Sequence, residues 1–583
     1  MSAIEHLRNR INMVTIPFTD RGSRILLFRR ENALYIKLAE RWVKHEAEVG
    51  HYRKRPPFID NFELYDAHGA AQSFETETYP HVAHIHSAIG TLSWTFPDPD
   101  TLIAELPEGT YTLRFTAHAQ RFETHMRGGT LYGRRNTAYT TNARVVQQIV
   151  TPADGENVQV ELKISATHGN ALLLHITPDI RFNRSVPSPS AVIARSREAW
   201  QHWFDLTPPV LPEYEAQYEY AWWVMRVALF SPRDTLTREA ASPSKMHYVG
   251  AWLWDQYYHA AAYRHVDAET AINQLRLFID HQQPNGMLPD AIHDEGIVTH
   301  LTAPVDADVT KPPFMAWAAL KIYESSGNLE YLNELYEPMA RWQAYWFEQC
   351  KSATGLAEYH HPFSSGLDDS PLFDEGMPVV APDLNTYLVV QADCLAKIAG
   401  LIGLHEAAAK HREQADSLAA LMQFVLWDDQ RGYFHALVDG TTPVNIFTPF
   451  NLLPLWTGRL SEAQVERVVE HLTSERLWTE WPLATVAMDD PKFDAMQMWR
   501  GPIWVNINLL FVEALERAGK HEVARKLRRE SLNLMMQHDD IYEYYNPHTA
   551  EHPPKAAPIF GWTSASFIEL AIQETLDRQQ AQG

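Results

Sequence analysis

Two acids in unusual surroundings are the strongest candidates for chemistry in this sequence. Asp368 lies in Ser365-Gly366-Leu367-Asp368-Asp369-Ser370-Pro371, inside a long loop, HHPFSSGLDDSPLF, where Gly and Pro constrain the backbone. Glu543 lies in Ile541-Tyr542-Glu543-Tyr544-Tyr545-Asn546-Pro547, flanked by three tyrosines and so poorly suited to a solvated face. Glycoside hydrolysis commonly needs such a pair, one carboxyl protonated to assist the leaving oxygen and one ionised. In the inverting version the second activates water on the opposite face of the sugar, with the two roughly 6.5–9.5 Å apart. Desolvation and a like-charged neighbour both raise a carboxyl pKa, as a general acid requires. By spacing alone, Asp-Asp-Ser-Pro reads at least as well as an Asx-turn, and Glu543 equally well as an incidental acid in a Tyr-rich turn.

Other chemistries find little support. There is no G-x-S-x-G nucleophile elbow. In HEAEVGH (His45 to His51) the histidines stand six apart, not the four of an H-E-x-x-H zinc site. No phosphate-loop pattern follows Gly128-Gly129, which reads as a turn. Asp489, Asp490 and Asp494 read as an exposed acidic loop rather than a calcium site. Neither a metal nor a cofactor is expected.

The composition bounds the partners. Asp and Glu number 73 against 50 Lys and Arg, a formal charge of -23, which repels nucleic acid and anionic lipid. The 18 Trp suit sugar stacking and helical cores equally. Two cysteines are too few for a disulfide framework in 583 residues. The start, MSAIEHLRNRINMV, has no apolar targeting segment, and no apolar run is long enough to span a membrane. A cytoplasmic protein with neither nucleic acid nor membrane as partner is the expectation.

Two kinds of element must position the acids. Up to about residue 182 the pattern is β: Arg24 to Leu38 with a turn-like Glu-Asn at its middle, Thr110 to Ala117, Val158 to Ser165 and Ala171 to Ile176. This predicts a β-sandwich-like domain over 1–182. Residues 183–212, with Pro clusters around one short helical stretch, read as a linker. From 213 to 583 the period is helical, with candidate helices over 213–231, 251–266, 268–281, 313–326, 329–349, 383–402, 404–426, 461–473, 500–518, 519–537 and 561–577. Eleven or twelve helices without intervening strands predict an (α/α)6 toroid, so the fold class is mainly α behind a β-rich start.

The loops between these helices carry a resemblance. SGLDDSP, Met498-Trp499-Arg500-Gly501-Pro502-Ile503-Trp504-Val505-Asn506-Ile507-Asn508, YEYYNP and Phe560-Gly561-Trp562-Thr563-Ser564 occur in this order. Together they resemble the signature loops of glycoside hydrolase family 63, over about residues 213–577. The family includes processing α-glucosidase I, bacterial α-glucosidases and glycosylglycerate hydrolases. The resemblance implies an inverting, exo-acting α-glycosidase in a toroid, an α-glucosidase on small α-glucosides or glycosylglycerates, with Asp368 as general acid and Glu543 as general base. It implies a supporting hydrogen bond from Asp369, and sugar contacts from Trp252, Trp254 and Asp255 in GAWLWDQYYHA. Gln283 and Asn285 in QPNGMLP look like another pocket loop, although a Pro-Asn-Gly turn explains most of that pattern. Lys311-Pro312-Pro313 departs from the family's Gln-Pro-Pro, and a Lys there could select a charged aglycone. Trp499 and Arg500 are expected to line or brace the site, and Trp562 to stack near the scissile bond. A trehalase is the second reading, since that related toroid family also uses an SGxD acid, but WRGPIWVNIN and the GLDD pair favour the first. A non-catalytic carbohydrate-binding protein is the third, weakened because both acids are intact.

Overall fold

The computed structural model describes residues 2–41 and 56–582; His45 to His51 lie outside them. The chain forms two compact units. The first holds Met1–Thr207, Arg226–Ser231 and Lys245–His247, and the second holds Pro208–Met225, Pro232–Ser244 and Tyr248–Gly583.

The first unit is built on two antiparallel sheets. One runs Ile25–Arg30, Ala33–Leu38, Ile59–Tyr65, Gly109–His118, Asn157–Ala166, Arg144–Ala153 from edge to edge. The other runs Phe74–Tyr79, Val82–Ser87, Gly90–Asp98, Thr101–Glu105, Ala171–Thr177, Asn136–Thr141, Gly128–Tyr132, Arg121–His125. NVQVELKISA (Asn157–Ala166) shows why: its residues alternate half-buried and buried, so every second side chain enters the core. The sheets meet through rings, with Phe62 on Trp94 at 5.3 Å and Phe115 on Tyr139 at 5.8 Å. Gly128-Gly129 is not a turn. The turn falls at Met126-Arg127 and Gly128 opens a strand, at φ 142, where a Cβ would overlap the Tyr139 carbonyl.

Thirteen helices are described: α1 (Ala3–His6), α2 (Pro189–Asp205), α3 (Glu215–Ala228), α4 (Leu253–Tyr263), α5 (Ala268–Ile279), α6 (Met315–Ser326), α7 (Leu329–Gln349), α8 (Pro382–Leu401), α9 (His405–Leu426), α10 (Glu462–Leu472), α11 (Val505–Arg517), α12 (His521–Met535) and α13 (Gly561–Gln582). α2, which the sequence places in a linker, packs in the first unit against Gly90–Asp98 and Thr101–Glu105. Val192 there joins Ile103 and Ala171 in one apolar cluster.

In the second unit the helices sort by burial. α4, α8 and α11 are buried nearly all round, whereas α9 and α12 bury one face and leave the rest to solvent. The buried helices follow one another: α4 packs on α6, α6 on α8, and α8 and α11 both pack on the 3-10 segment Leu453–Thr457. α11 then packs on α13, and α13 returns to α4. α5, α7, α9 and α12 back onto this circuit. Leu453–Thr457 was not expected as an element; it is five residues long and ends at Gly458 with φ 67, too short to show a helical period. Among the described residues, no helix is long and apolar enough to cross a membrane.

Candidate active site

One cavity of the second unit collects the unusual loops. Its lining includes Trp252, Trp254, Asp255, Lys311, Asp368, Trp499, Glu543 and Trp562, all of them sequence-predicted site residues. Each comes from the turn or first residues of a segment at, or leading to, the N-terminal end of a circuit helix. Trp252 and Asp255 enter α4, Lys311 leads to α6, Asp368 to α8, Trp499 to α11, and Glu543 and Trp562 to α13.

Asp368 follows a short 3-10 turn, Pro362–Ser365, whose end is fixed locally. Ser365 Oγ donates to the Pro362 carbonyl at 2.6 Å and accepts from Leu367 N at 3.0 Å. Gly366 then takes φ 75, and a Cβ there would overlap the Trp254 ring, so glycine lets the loop lie directly on that indole. Asp368 Oδ1 is buried without a hydrogen-bond partner and stands 3.7 Å from Lys311 Nζ. Burial pushes the Asp368 carboxyl up to about 6; Asp290 and Asp369 add to the rise and Lys311 opposes it. Asp369 turns elsewhere, and its Oδ1 accepts the Trp499 backbone N–H at 2.8 Å.

Glu543 is anchored at both ends. Its backbone N–H donates to the Ala557 carbonyl at 2.9 Å, and its Oε2 accepts from Ala557 N at 3.1 Å. Its Oε1 accepts the Tyr248 hydroxyl at 2.8 Å. Burial and the Glu543 carboxylate hold the Tyr248 phenol well above its usual range, so Tyr248 remains a donor. Asp255 is buried with Oδ1 unpartnered, and burial raises its carboxyl well above the usual range, with Glu543 and Asp290 adding to the rise.

Indoles form the walls. Trp499 stacks on Trp504 at 3.8 Å with planes 4° apart, and Trp254 stacks on Trp499 at 5.8 Å. Trp562 meets Trp254 edge-on at 5.2 Å.

Three predicted sugar contacts lie off this lining. Arg500 pairs with Asp374 at 2.5 Å. Gln283 donates to the His281 carbonyl at 2.9 Å, and Asn285 Oδ1 accepts Met287 N at 3.1 Å, so both serve the turn itself. Lys311 is held by its neighbours, with Nζ 2.9 Å from Asp290 Oδ1 and donating to the Phe363 carbonyl at 2.7 Å. Tyr248, Trp504 and Asp290 were not singled out from the sequence. Trp504 lies within the quoted WRGPIWVNIN run, while Tyr248 and Asp290 carry no local signal. Among the described residues, no group of three or more His, Cys, Asp or Glu can hold a metal. Asp489 instead pairs with Arg476 at 2.8 Å, and Asp490 and Asp494 each accept a nearby backbone N–H.

Comparison with known proteins bears on the same span. The family model for the mannosylglycerate hydrolase MGH1-like glycoside hydrolase domain matches residues 248–563. A mannosylglycerate hydrolase of Rubrobacter radiotolerans is 22% identical over 421 residues, covering 58% of this chain and 94% of the relative. A glucosylglycerate hydrolase of Mycolicibacterium hassiacum is 22% identical over 434 residues, covering 58% of this chain and 95% of the relative. The crystal structure of a glycoside hydrolase family 63 mannosylglycerate hydrolase from Thermus thermophilus, in complex with glucose, matches with a TM-score of 0.52. Its identity is 23%, over 61% of this chain and 99% of that one.

Proposed function

Because the chain belongs to the MGH1-like glycoside hydrolases of family 63, we propose that it is an inverting, exo-acting α-glycosidase that cleaves glycosylglycerates, with glucose or mannose as the glycone. As a member of that family it is a glycoside hydrolase. The observation that carries the finer reading is the pairing of Asp368 and Glu543 in one cavity, in unlike environments.

Asp368, with its carboxyl raised to about 6, is the general acid. It gives its proton to the glycosidic oxygen as the bond to the anomeric carbon breaks. Glu543 accepts hydrogen bonds at both oxygens, from Tyr248 and from Ala557 N, so its carboxylate is fixed in direction. It takes a proton from the water attacking the anomeric carbon from the opposite face, and the configuration inverts. Asp255, with a buried unpartnered oxygen, accepts or donates to a sugar hydroxyl, and the Trp254 and Trp562 indoles pack on the glycone. The names of the curated relatives supply the aglycone. We also propose that the second unit is an (α/α)6 toroid, which the return of α13 to α4 supports.

The test is a substrate panel of glucosylglycerate, mannosylglycerate, kojibiose, nigerose, maltose, isomaltose and trehalose. Preferred hydrolysis of one of the two glycerates is expected. Preferred hydrolysis of trehalose, or of none, would remove this assignment.

A further inference from the structure

Lys311 is the one cationic side chain lining the cavity among the described residues, and its surroundings define a task. It is 6% exposed. Asp290 Oδ1 at 2.9 Å and the Phe363 carbonyl at 2.7 Å fix the ammonium, and Phe363 belongs to the turn that carries the acid. Asp368 Oδ1 stands 3.7 Å from the same ammonium, beyond hydrogen-bond length but within reach of its charge. An ammonium only donates, so a proton on Oδ1 would face positive charge and find no acceptor there, which favours the neutral acid with its proton on Oδ2. Oδ1 is itself buried, whereas the Asp368 side chain as a whole is 28% exposed. That leaves Oδ2 as the carboxyl oxygen able to face the cavity that Asp368 lines.

We propose that Lys311 is a positioning residue for the general acid: it keeps the proton of Asp368 on Oδ2, the oxygen facing the leaving group, and stabilises the carboxylate left after proton transfer. The proposal rests on Asp368 being the acid. No atoms beyond that one proton move. It leaves Oδ2 for the glycosidic oxygen, and the new negative charge is shared with Oδ1 beside the ammonium. Asp290 behind Lys311, Asp369 next in the chain, Asp255 beside the ammonium and Tyr248 also act on this group or on Lys311. Lys311 is the one cation in that set, so its removal weakens the acid whichever of the others is charged. This gives Lys311 a role on the acid rather than on a charged aglycone, since its ammonium is already held by Asp290.

The test compares native protein, Lys311→Met, Lys311→Arg and Asp368→Asn on two α-glycosides of the same sugar. One is the glycosylglycerate, whose alkoxide leaving group needs a proton; the other is the glycosyl fluoride, whose leaving group departs with little help. At the maximum of each pH profile, Lys311→Met should lose about tenfold or more in kcat/KM on the glycerate and less than about threefold on the fluoride. Its basic limb should move to higher pH, and Lys311→Arg should recover most of the loss. Equal losses on both substrates, or an unmoved basic limb, would overturn the role of Lys311. Should Lys311→Met fail to fold, Lys311→Gln, which keeps a donor near Asp290, carries the same comparison. If Asp368→Asn itself loses equally on both substrates, Asp368 is not the acid, and that failure is visible separately.

Discussion

At the scale of single residues, the account depends on two carboxyls being different. Asp368→Asn and Glu543→Gln should each lower kcat by about 100-fold or more while the far-UV circular dichroism stays native; near-normal turnover in either variant removes that residue from the mechanism. The direction of pH dependence follows from Asp368. Its carboxyl must be protonated to act and releases its proton near 6, so kcat/KM should fall as the pH rises through about 6. A profile flat from pH 5 to 8 would contradict this. Tyr248→Phe deletes the 2.8 Å hydrogen bond to Glu543 and keeps the aromatic ring. A loss of about tenfold in kcat with little change in melting temperature is expected. Asp368 and Glu543 stand out in the sequence through the ordered loops that resemble family 63, since by residue type alone each reads as well as a turn residue. Tyr248 and Asp290 do not, because each matters through a partner far away in the chain, Glu543 and Lys311. Gln283 and Asn285 misled for the opposite reason: Pro-Asn-Gly shapes a turn, and the turn consumes their hydrogen bonds.

At the scale of elements, the loops that enter the circuit helices are shaped by close packing as well as by local hydrogen bonds. Gly366 is the sharpest case. Its φ of 75 and the indole of Trp254 both exclude a side chain, so Gly366→Ala should destabilise by about 2 kcal/mol and displace Asp368. Urea denaturation and turnover read the two effects; unchanged stability would show that the loop does not lie on Trp254. Helix positions were legible because apolar residues recur with helical period, and α5, α7 and α9 begin within a residue or two of where that period places them. The segment Leu453–Thr457 was not, since five residues are too few to show a helical period, and its burial against α8 and α11 is a property of the fold. Gly128-Gly129 was misplaced because glycine marks close backbone approach as well as turns, and here the approach is to Tyr139.

At the scale of the whole molecule, the second unit closes where α13 meets α4. There Glu569 pairs with Arg264 at 2.6 Å and with His265 at 2.8 Å, and it is 4% exposed. Burial opposes the Glu569 charge, but Arg264 and His265 outweigh it and hold the carboxyl below its ordinary range. A carboxyl whose folded pKa is depressed contributes stability in full above its unfolded pKa and loses it as the pH falls through the folded value. Glu569→Gln should therefore cost about 3 kcal/mol at pH 7, with the difference from native shrinking below about pH 4. A difference that stays constant down to pH 3 would show that the pair does not carry the charge. The β-rich start and helical remainder were readable from the change of period near residue 213. The return of α13 to α4 is what an (α/α)6 toroid implies, an expectation carried by helix count and family resemblance, since no local pattern records which helices become neighbours. What the assembled unit does is decided by stereochemistry. With a substrate bearing an α-linkage, proton NMR in the first minutes of hydrolysis reports the anomer released before mutarotation. The pairing of Asp368 with Glu543 as acid and base predicts the β-anomer first, and initial release of the α-anomer would contradict it.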